Sequence, residues 1–359
     1  MRRGPDAPDA MTGAALEAPG GPVPGPGEEE EEEEAAAAAA ALRALDRTTF
    51  RAGNVLELAL EDGAWDTVLC LSVVKWIHLN FGDDGLKRFF KACQRALAPG
   101  GLLILEPQPW RSYGQAFRKQ DLASAPGIHR PADLKIKPVE FKNILKGLGF
   151  ELVAVDVSSA ARQAFHKRPI LVFKKGEPGG GFHPWSAEER ALLSQLHDFH
   201  KEAIVRAEED PAAGARGTKR GREGGEQGGE GRDGEQGTAA GTEEGGPPPP
   251  GGADAIGPRL PAKMRNTVYR YGNYQGYYGY RAEEAGRRDP RLEFFRAEWF
   301  RDKRCLDVGC HEGCITLAVA TLYGPRELQG IDIDPALVKR AVRGMAQLKH
   351  AVKHGKVQV

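Results

Sequence analysis

The chain has 359 residues, with 46 Gly, 25 Pro and equal numbers of acidic and basic residues, 50 of each. Its five cysteines (70, 93, 305, 310 and 314) are odd in number and lack paired CxxC spacing, which argues against a disulfide framework or a zinc ribbon and for reduced thiols. No apolar run approaches the ~20 residues of a membrane span. The opening Met-Arg-Arg leads into Gly, Pro and Asp rather than an apolar signal core, so a soluble intracellular protein is expected.

The zero net charge conceals an asymmetry. Residues 1–47 hold 11 acids and 4 bases, and 209–262 hold 10 and 6, so the rest of the chain carries +11. A basic body with acidic flanks suits a polyanionic ligand, with solubility alone as the competing reading. Gly and Pro crowd into 1–27 and 211–261, stretches too poor in apolar residues to offset their ordering entropy, and both are expected to be disordered. About 260 residues remain, enough for one well-cored domain.

In chain order, seven Glu at 28–34 lead into seven Ala, good chemistry for a short solvated helix within an otherwise disordered tail, 1–47. Asp66–Leu71 reads as a buried strand. Asp84–Leu97 has helical spacing, with Leu86, Phe89, Phe90 and Cys93 on one side, and Pro99-Gly100-Gly101 stops it before a second buried strand, Leu102–Leu105. Pro138 opens a helix broken near Gly147 and Gly149, and Glu151–Val157 and Pro169–Phe173 form a strand pair. Ser186 and Glu189 make a capping box for a helix of unknown role within 176–210. His197 and His200 lie one turn apart there, but without a third ligand they define no metal site. After the linker 211–262, Cys305–Val308 is a strand entering a Gly-rich turn, Leu317–Leu322 is helical, Leu328–Ile333 is a strand and Pro335 starts a helix. The alternation of strands and helices is an α/β pattern.

Three constellations carry chemistry. CLDVGCHEG (305–313) takes a strand through Asp307 and Gly309 into a helix beyond Gly313, aiming backbone N–H groups and a helix N-terminus above the strand. Asp332, nineteen residues past Gly313, is placed to accept ribose hydroxyls. Cys310 and His311 break the GxGxxG pattern, which favours a single nucleoside without pyrophosphate, S-adenosylmethionine, over a dinucleotide; an ordinary tight turn is the bland alternative. Six of eight Tyr fall within 269–280 beside Arg270 and Arg281, suited to nucleotide stacking and phosphate contact or to a packed surface strand. VVKWIHLN (73–80) and EPQPW (106–110) follow strand ends and read as two polar-aromatic loops at one rim, either of which could also be a capping turn.

The strings GNYQGYYGYR, AEWF, LDVGC and GIDID, with LCLSVVKWIHLNFGDDGLKRFF, PGGLLILEPQPW and RPILVFKK, together resemble the Bin3-type RNA methyltransferases over about 48–175 and 264–359. The resemblance implies a Rossmann-like class I S-adenosylmethionine-dependent methyltransferase, a seven-stranded mostly parallel sheet with a terminal antiparallel pair. Its cofactor-motif half, 263–359, follows its C-terminal half, 48–175, so relative to the family the order looks circularly permuted, or assembled from a misordered gene model. By position, Tyr278, Arg291, Asp307, Gly309, Cys310, His311, Asp332, Ile333, Asn54, Val55 and Leu71 would bind S-adenosyl-L-methionine. His311 stands where the family has Asn, and Val55 where it usually has Tyr. Lys75, His78 and Arg281 would grip the phosphates of a 5′-triphosphate RNA, a small nuclear RNA of the 7SK type, whose terminal oxygen attacks the methyl without a strong base. A La-related RNA-binding protein in the same particle and a nuclear location follow from the same resemblance. A 5′-monophosphate on small RNA or tRNA, or a weakly active RNA-stabilising scaffold, are the alternatives.

Overall fold

The computed structural model describes residues 26–119, 122, 125–157, 168–176, 184–196, 269–273 and 289–357. In chain order these form α1 (Pro26–Asp46), β1 (Thr48–Ala52), β2 (Trp65–Leu71), α2 (Val74–Ala96), β3 (Leu97–Glu106), α3 (Arg111–Lys119), α4 (Phe141–Gly147), β4 (Phe150–Asp156) and β5 (Ile170–Lys175). They continue with a helix, α5, over 187–196, then β6 (Arg304–Val308), α6 (Cys314–Tyr323), β7 (Glu327–Asp332) and α7 (Pro335–Lys353).

One seven-stranded sheet runs in the order β1-β7-β6-β2-β3-β5-β4. The first five of these strands are parallel, and β5 is antiparallel to both of its neighbours. β2 is central and β6 lies directly beside it, with Val68 opposite Leu306. On its other side β7 is covered by β1, with Ala52 opposite Asp332. The strands from the two ends of the chain therefore interleave in a single sheet.

Covered on both faces, β2 and β6 are near-continuous apolar runs rather than alternating ones. One face carries a core of Leu86, Phe89, Phe90, Phe141, Phe150 and Phe173. The other carries Leu69, Ile104, Phe300, Cys305, Val319 and Leu328. Fully burying each Leu or Phe contributes about 1.5–3 kcal/mol, which makes these faces the main source of stability.

Two sequence expectations need correction, and a third gains a partner. The acidic, Ala-rich stretch is a 21-residue helix, and its last turns are not solvated: Ala41, Ala44 and Leu45 are buried beside α6 and α7, and Lys349 Nζ meets Asp46 at 2.8 Å. Residues 74–80 are helical, not a loop. Gly82, at φ 67°, interrupts α2 where a Cβ would come within 2.8 Å of the His129 ring, and Gly82-Asp83-Asp84 disguises the continuation as a stop. The Ser186–Glu189 capping box is present, Glu189 N donating to Ser186 Oγ at 3.1 Å and Ser186 N to Glu189 Oε2 at 2.8 Å. Yet Glu189 is also buried against Lys146 Nζ at 2.7 Å and accepts from Leu152 N, tying α5 to the domain. His197, His200, the 211–262 linker and most of the Tyr-rich segment lie outside the described residues.

Candidate cofactor and phosphate site

Parallel strands bring their carboxyl ends to one edge of the sheet, and the chemistry-bearing residues collect there. After β6 the chain turns sharply through Gly309 (φ 78°), His311 (φ 56°) and Gly313 (φ 78°). A Cβ on Gly309 would sit 2.6 Å from Val73, and one on Gly313 would sit 2.8 Å from Phe50, so only glycine fits. His311 holds its left-handed conformation with a backbone N–H that donates to Asp332 Oδ2 at 2.9 Å. The N–H groups of Gly309 and Cys310 both donate to Ile331 O, at 2.8 and 3.1 Å. The expectation that these N–H groups point at a ligand is thus corrected. They lock the turn to β7.

Asp332 closes the other side of that turn. Its Oδ1 accepts from Asp334 N at 2.9 Å, and its Oδ2 from His311 N. Burial pushes its carboxyl up to about 6. A carboxylate offers roughly four acceptor positions, so two backbone N–H bonds leave capacity for a vicinal diol. Gly53 N donates to Asp332 O at 2.8 Å, which sets the 53–56 turn beside it. Asn54 Oδ1 accepts from Leu56 N at 3.1 Å and its Nδ2 donates to Glu57 at 2.9 Å, so its side chain builds that turn. Val55 and Leu71 are buried, and Ile333 is half-buried next to Asp332. This set fits a nucleoside cofactor: an acid for the ribose, apolar walls beside it, and a turn with no side chain at its closest approach.

Two residues expected to touch the cofactor are held by the protein. Asp307 is fully buried, accepts from Thr316 Oγ1 at 2.7 Å and is pushed up to about 6 by burial; it ties α6 to β6. Arg291 donates from Nε and Nη2 to Asp289, at 2.9 and 2.8 Å, and from Nη1 to Glu106 Oε2 at 3.0 Å. A guanidinium bound bidentately to one carboxylate and also to a second is oriented by that network rather than by an open pocket.

At the neighbouring strand end, Lys75 is buried at the start of α2. Its backbone N donates to Gln108 Oε1 at 3.1 Å, its Nζ to Ser112 O at 3.5 Å, and the ammonium lies 4.5 Å from the Trp76 ring centre. Burial first, and then the Arg168 charge, lower its pKa to about 7. His78 does not reach the rim. It is fully buried, Nε2 meets Asp83 Oδ1 at 2.8 Å and Nδ1 approaches Tyr113 Oη at 3.4 Å, so the expected phosphate contact is corrected to a positioning role. Asp83 also accepts from Lys135 N and Ile136 N, which pins the 125–137 segment to α2. Burial lowers the imidazole pKa against the opposing pull of Asp83. Arg281 and Tyr278 lie outside the described residues.

Sequence reasoning missed three ties. The start of the Tyr-rich segment docks on α2: Arg270 Nε donates to Asn80 Oδ1 at 2.9 Å and Nη1 to Pro126 O at 3.0 Å, and Gly272 lies so close to Trp76 that a Cβ would meet the indole at 2.1 Å. Asn273 Nδ2 donates to Asp334 Oδ2 at 2.7 Å, carrying that segment to the end of β7. Ser72 links Arg168 to Glu106. The polar residues inside otherwise apolar strand-end motifs were the available signal; their partners lie roughly 30 to 200 residues away.

A seven-stranded sheet of this order, a glycine turn after β6 and an acid closing β7 define the Rossmann-like fold of the S-adenosylmethionine-dependent methyltransferases. Within that class, residues 65–175 match the family model of Bicoid-interacting protein 3 (Bin3). The chain is 42% identical over 116 residues to the 7SK snRNA methylphosphate capping enzyme of Homo sapiens, covering 31% of this chain and 16% of that protein. It is 40% identical over 121 residues to the U6 snRNA methylphosphate capping enzyme Amus of Drosophila melanogaster, covering 33% and 39%. To the RNA 5′-monophosphate methyltransferase of Rattus norvegicus it is 44% identical over 55 residues, covering 15% and 18%. The chain thus spans well under half the length of these relatives. Among solved structures, a putative DNA modification methylase from Thermus thermophilus aligns with a TM-score of 0.36 at 14% identity, covering 84% of this chain and 95% of that one.

Proposed function

We propose that the protein transfers a methyl group from S-adenosylmethionine to the 5′-terminal phosphate of an RNA. The observation that carries this reading is the juxtaposition at one sheet edge of an acid-closed glycine turn, Gly309 to Asp332, with a cation on the next strand end, Lys75, within a segment of Bin3 sequence. Bound there, S-adenosylmethionine would supply a methyl group made electrophilic by its sulfonium. Asp332 would hold the ribose, Ile333 and Val55 would flank the base, and the Gly309–His311 turn would border the methionine side. A terminal phosphate oxygen is already anionic near pH 7, so the protein's work is positioning and charge compensation rather than proton removal.

The finer reading is the γ-phosphate of a small nuclear RNA of the 7SK type, in the nucleus, with a La-related RNA-binding protein as a partner. It is supported by similarity to the snRNA capping enzymes over 116 and 121 residues, against 55 for the monophosphate enzyme. We read the chain order as permuted relative to the Bin3 family, because the cofactor turn lies beyond the matched 65–175 segment. Labelled methyl transfer to one hairpin RNA bearing a 5′-triphosphate, monophosphate or hydroxyl tests the assignment. The triphosphate RNA is expected to be the best substrate; preference for the monophosphate would move the protein to the other branch, and transfer to the hydroxyl RNA would remove the phosphate from the reaction.

A further inference from the structure

The end of β2 carries a residue in an unusual conformation. Ser72 has φ 61°, a left-handed backbone that non-glycine residues seldom adopt and that persists only where surroundings hold it. Here Gln108 Nε2 donates to the Ser72 carbonyl, and the same Gln108 accepts from Lys75 N at 3.1 Å. The Ser72 hydroxyl donates to Glu106 Oε2 and accepts from Arg168 Nη1 at 2.7 Å. Glu106 is in turn held by Arg291 at 3.0 Å. Five side chains from four separate parts of the chain are thus spent on fixing one serine and, through it, one guanidinium.

Lys75 and Arg168 are both tied to this serine: Lys75 N donates to the Gln108 amide that itself donates to the Ser72 carbonyl, and Arg168 Nη1 donates to the Ser72 hydroxyl at 2.7 Å. Burial first, and then the arginine charge, lower the lysine pKa. Lys75 is buried and Arg168 half-buried, and among the described residues no carboxylate forms an ion pair with either. Glu106, the nearest acid through Ser72, is already engaged by Arg291 and by the Ser72 hydroxyl. Two cations tied to one serine in a partly dry setting repel, and an anion bound to both would offset that repulsion. A planar guanidinium offers two parallel donors to a phosphate and the ammonium a compact point charge, a complementary pair for neighbouring phosphate oxygens.

We propose that Arg168 and Lys75 form a two-cation cradle for the phosphate oxygens at the 5′ end of the RNA, with Ser72 as the positioning residue that aims Arg168. This rests on the phosphate-methylation reading for its substrate, but its anion chemistry stands separately. Arg168 is a catalytic residue in this account because it touches the reacting phosphate. Ser72 does not touch the phosphate in this account; it acts through Arg168, whose guanidinium it holds.

The test uses the full chain and two probes. Calorimetry with inorganic tripolyphosphate measures the cradle without any chemistry, and labelled methyl transfer to a 5′-phosphorylated hairpin measures its use. Arg168→Gln should weaken tripolyphosphate binding at least tenfold and lower kcat/KM on the hairpin by a similar factor, while S-adenosylmethionine affinity stays within about twofold. Arg168→Lys, which keeps the charge but not the fork, should recover part of both losses. Ser72→Gly, which suits the backbone, should raise KM for the RNA with a smaller change in kcat. Unchanged tripolyphosphate affinity in Arg168→Gln, with both variants folded by circular dichroism, overturns the cradle. If the wild type binds tripolyphosphate through Arg168 yet methylates no 5′ phosphate, the cradle holds and the methylation reading fails.

Discussion

Residues 48–175 contribute five strands, both antiparallel pairings and the cation-bearing rim, whereas 289–357 contribute only β6 and β7, yet these two lie inside the sheet, between β1 and β2. The larger half is the more complete in core, with Phe89, Phe90, Phe141, Phe150 and Phe173 packed together. The smaller half holds the cofactor turn and Asp332. Neither is a domain by itself. Removing 289–357 would separate β1 from β2 and expose both; removing 48–175 would leave two strands bare on both sides. Ordering a two-stranded fragment costs more than its burial returns, so the division of labour forces the halves to fold together.

The largest expected effect targets that shared seam. Leu306 is fully buried on β6 opposite Val68, and Leu306→Ala should destabilise the whole protein by about 2–5 kcal/mol in urea denaturation, in one transition. Two separate transitions, only one of them shifted, would break the comparison by showing that the halves unfold independently.

The two aspartates at adjacent strand ends sharpen it further. On the proposed function, Asp332→Ala removes the acceptor of the ribose hydroxyls and should weaken S-adenosylmethionine binding by roughly 1.5–3 kcal/mol, the worth of hydrogen bonds to a charged group. Asp307→Asn removes a buried carboxylate that serves Thr316, so it should lower the urea midpoint with little change in cofactor affinity. Calorimetry showing equal losses of affinity for both would dissolve the distinction between ligand acid and structural acid.

The remaining effects are those of pH. Asp307 and Asp332 have folded pKa values raised to about 6, so their contribution is fully present below the unfolded value near 4 and is lost as pH rises through 6. Lys75 is lowered to about 7, so the unfolded state binds more protons between 7 and about 10.5 and stability rises with pH across that window. Lys75→Met should flatten the alkaline limb of a stability–pH profile and leave the acid limb in place. A limb of unchanged slope would mean that Lys75 is solvated and charged in the folded state.

What was legible in the sequence was what depends on neighbours along the chain. The apolar runs of β2, β3 and β6, the Gly309–Gly313 turn, the acid at Asp332 and the Ser186–Glu189 cap all announce themselves within a few residues. The start of α2 was not legible, because Gly82 and two aspartates imitate a helix stop, while the His129 ring that occupies the space a Cβ would need lies far along the chain. The packing of α1 was hidden for a different reason: an Ala-rich helix carries too little contrast between its faces to show which one is buried. The Asp289–Arg291–Glu106–Ser72–Arg168 chain could not be read either. Its members are individually ordinary polar residues, and their pairing exists only once the strands are adjacent.

The central claim is that one sheet and one cofactor site are assembled from both ends of the chain. The direct measurement is to introduce a protease site near residue 230, cleave the folded protein, and follow the fragments by size exclusion together with S-adenosylmethionine calorimetry. The account predicts that the two fragments co-elute and bind the cofactor with an affinity close to that of the intact chain. Fragments that separate under native conditions, each folded and either one binding S-adenosylmethionine alone, would contradict it.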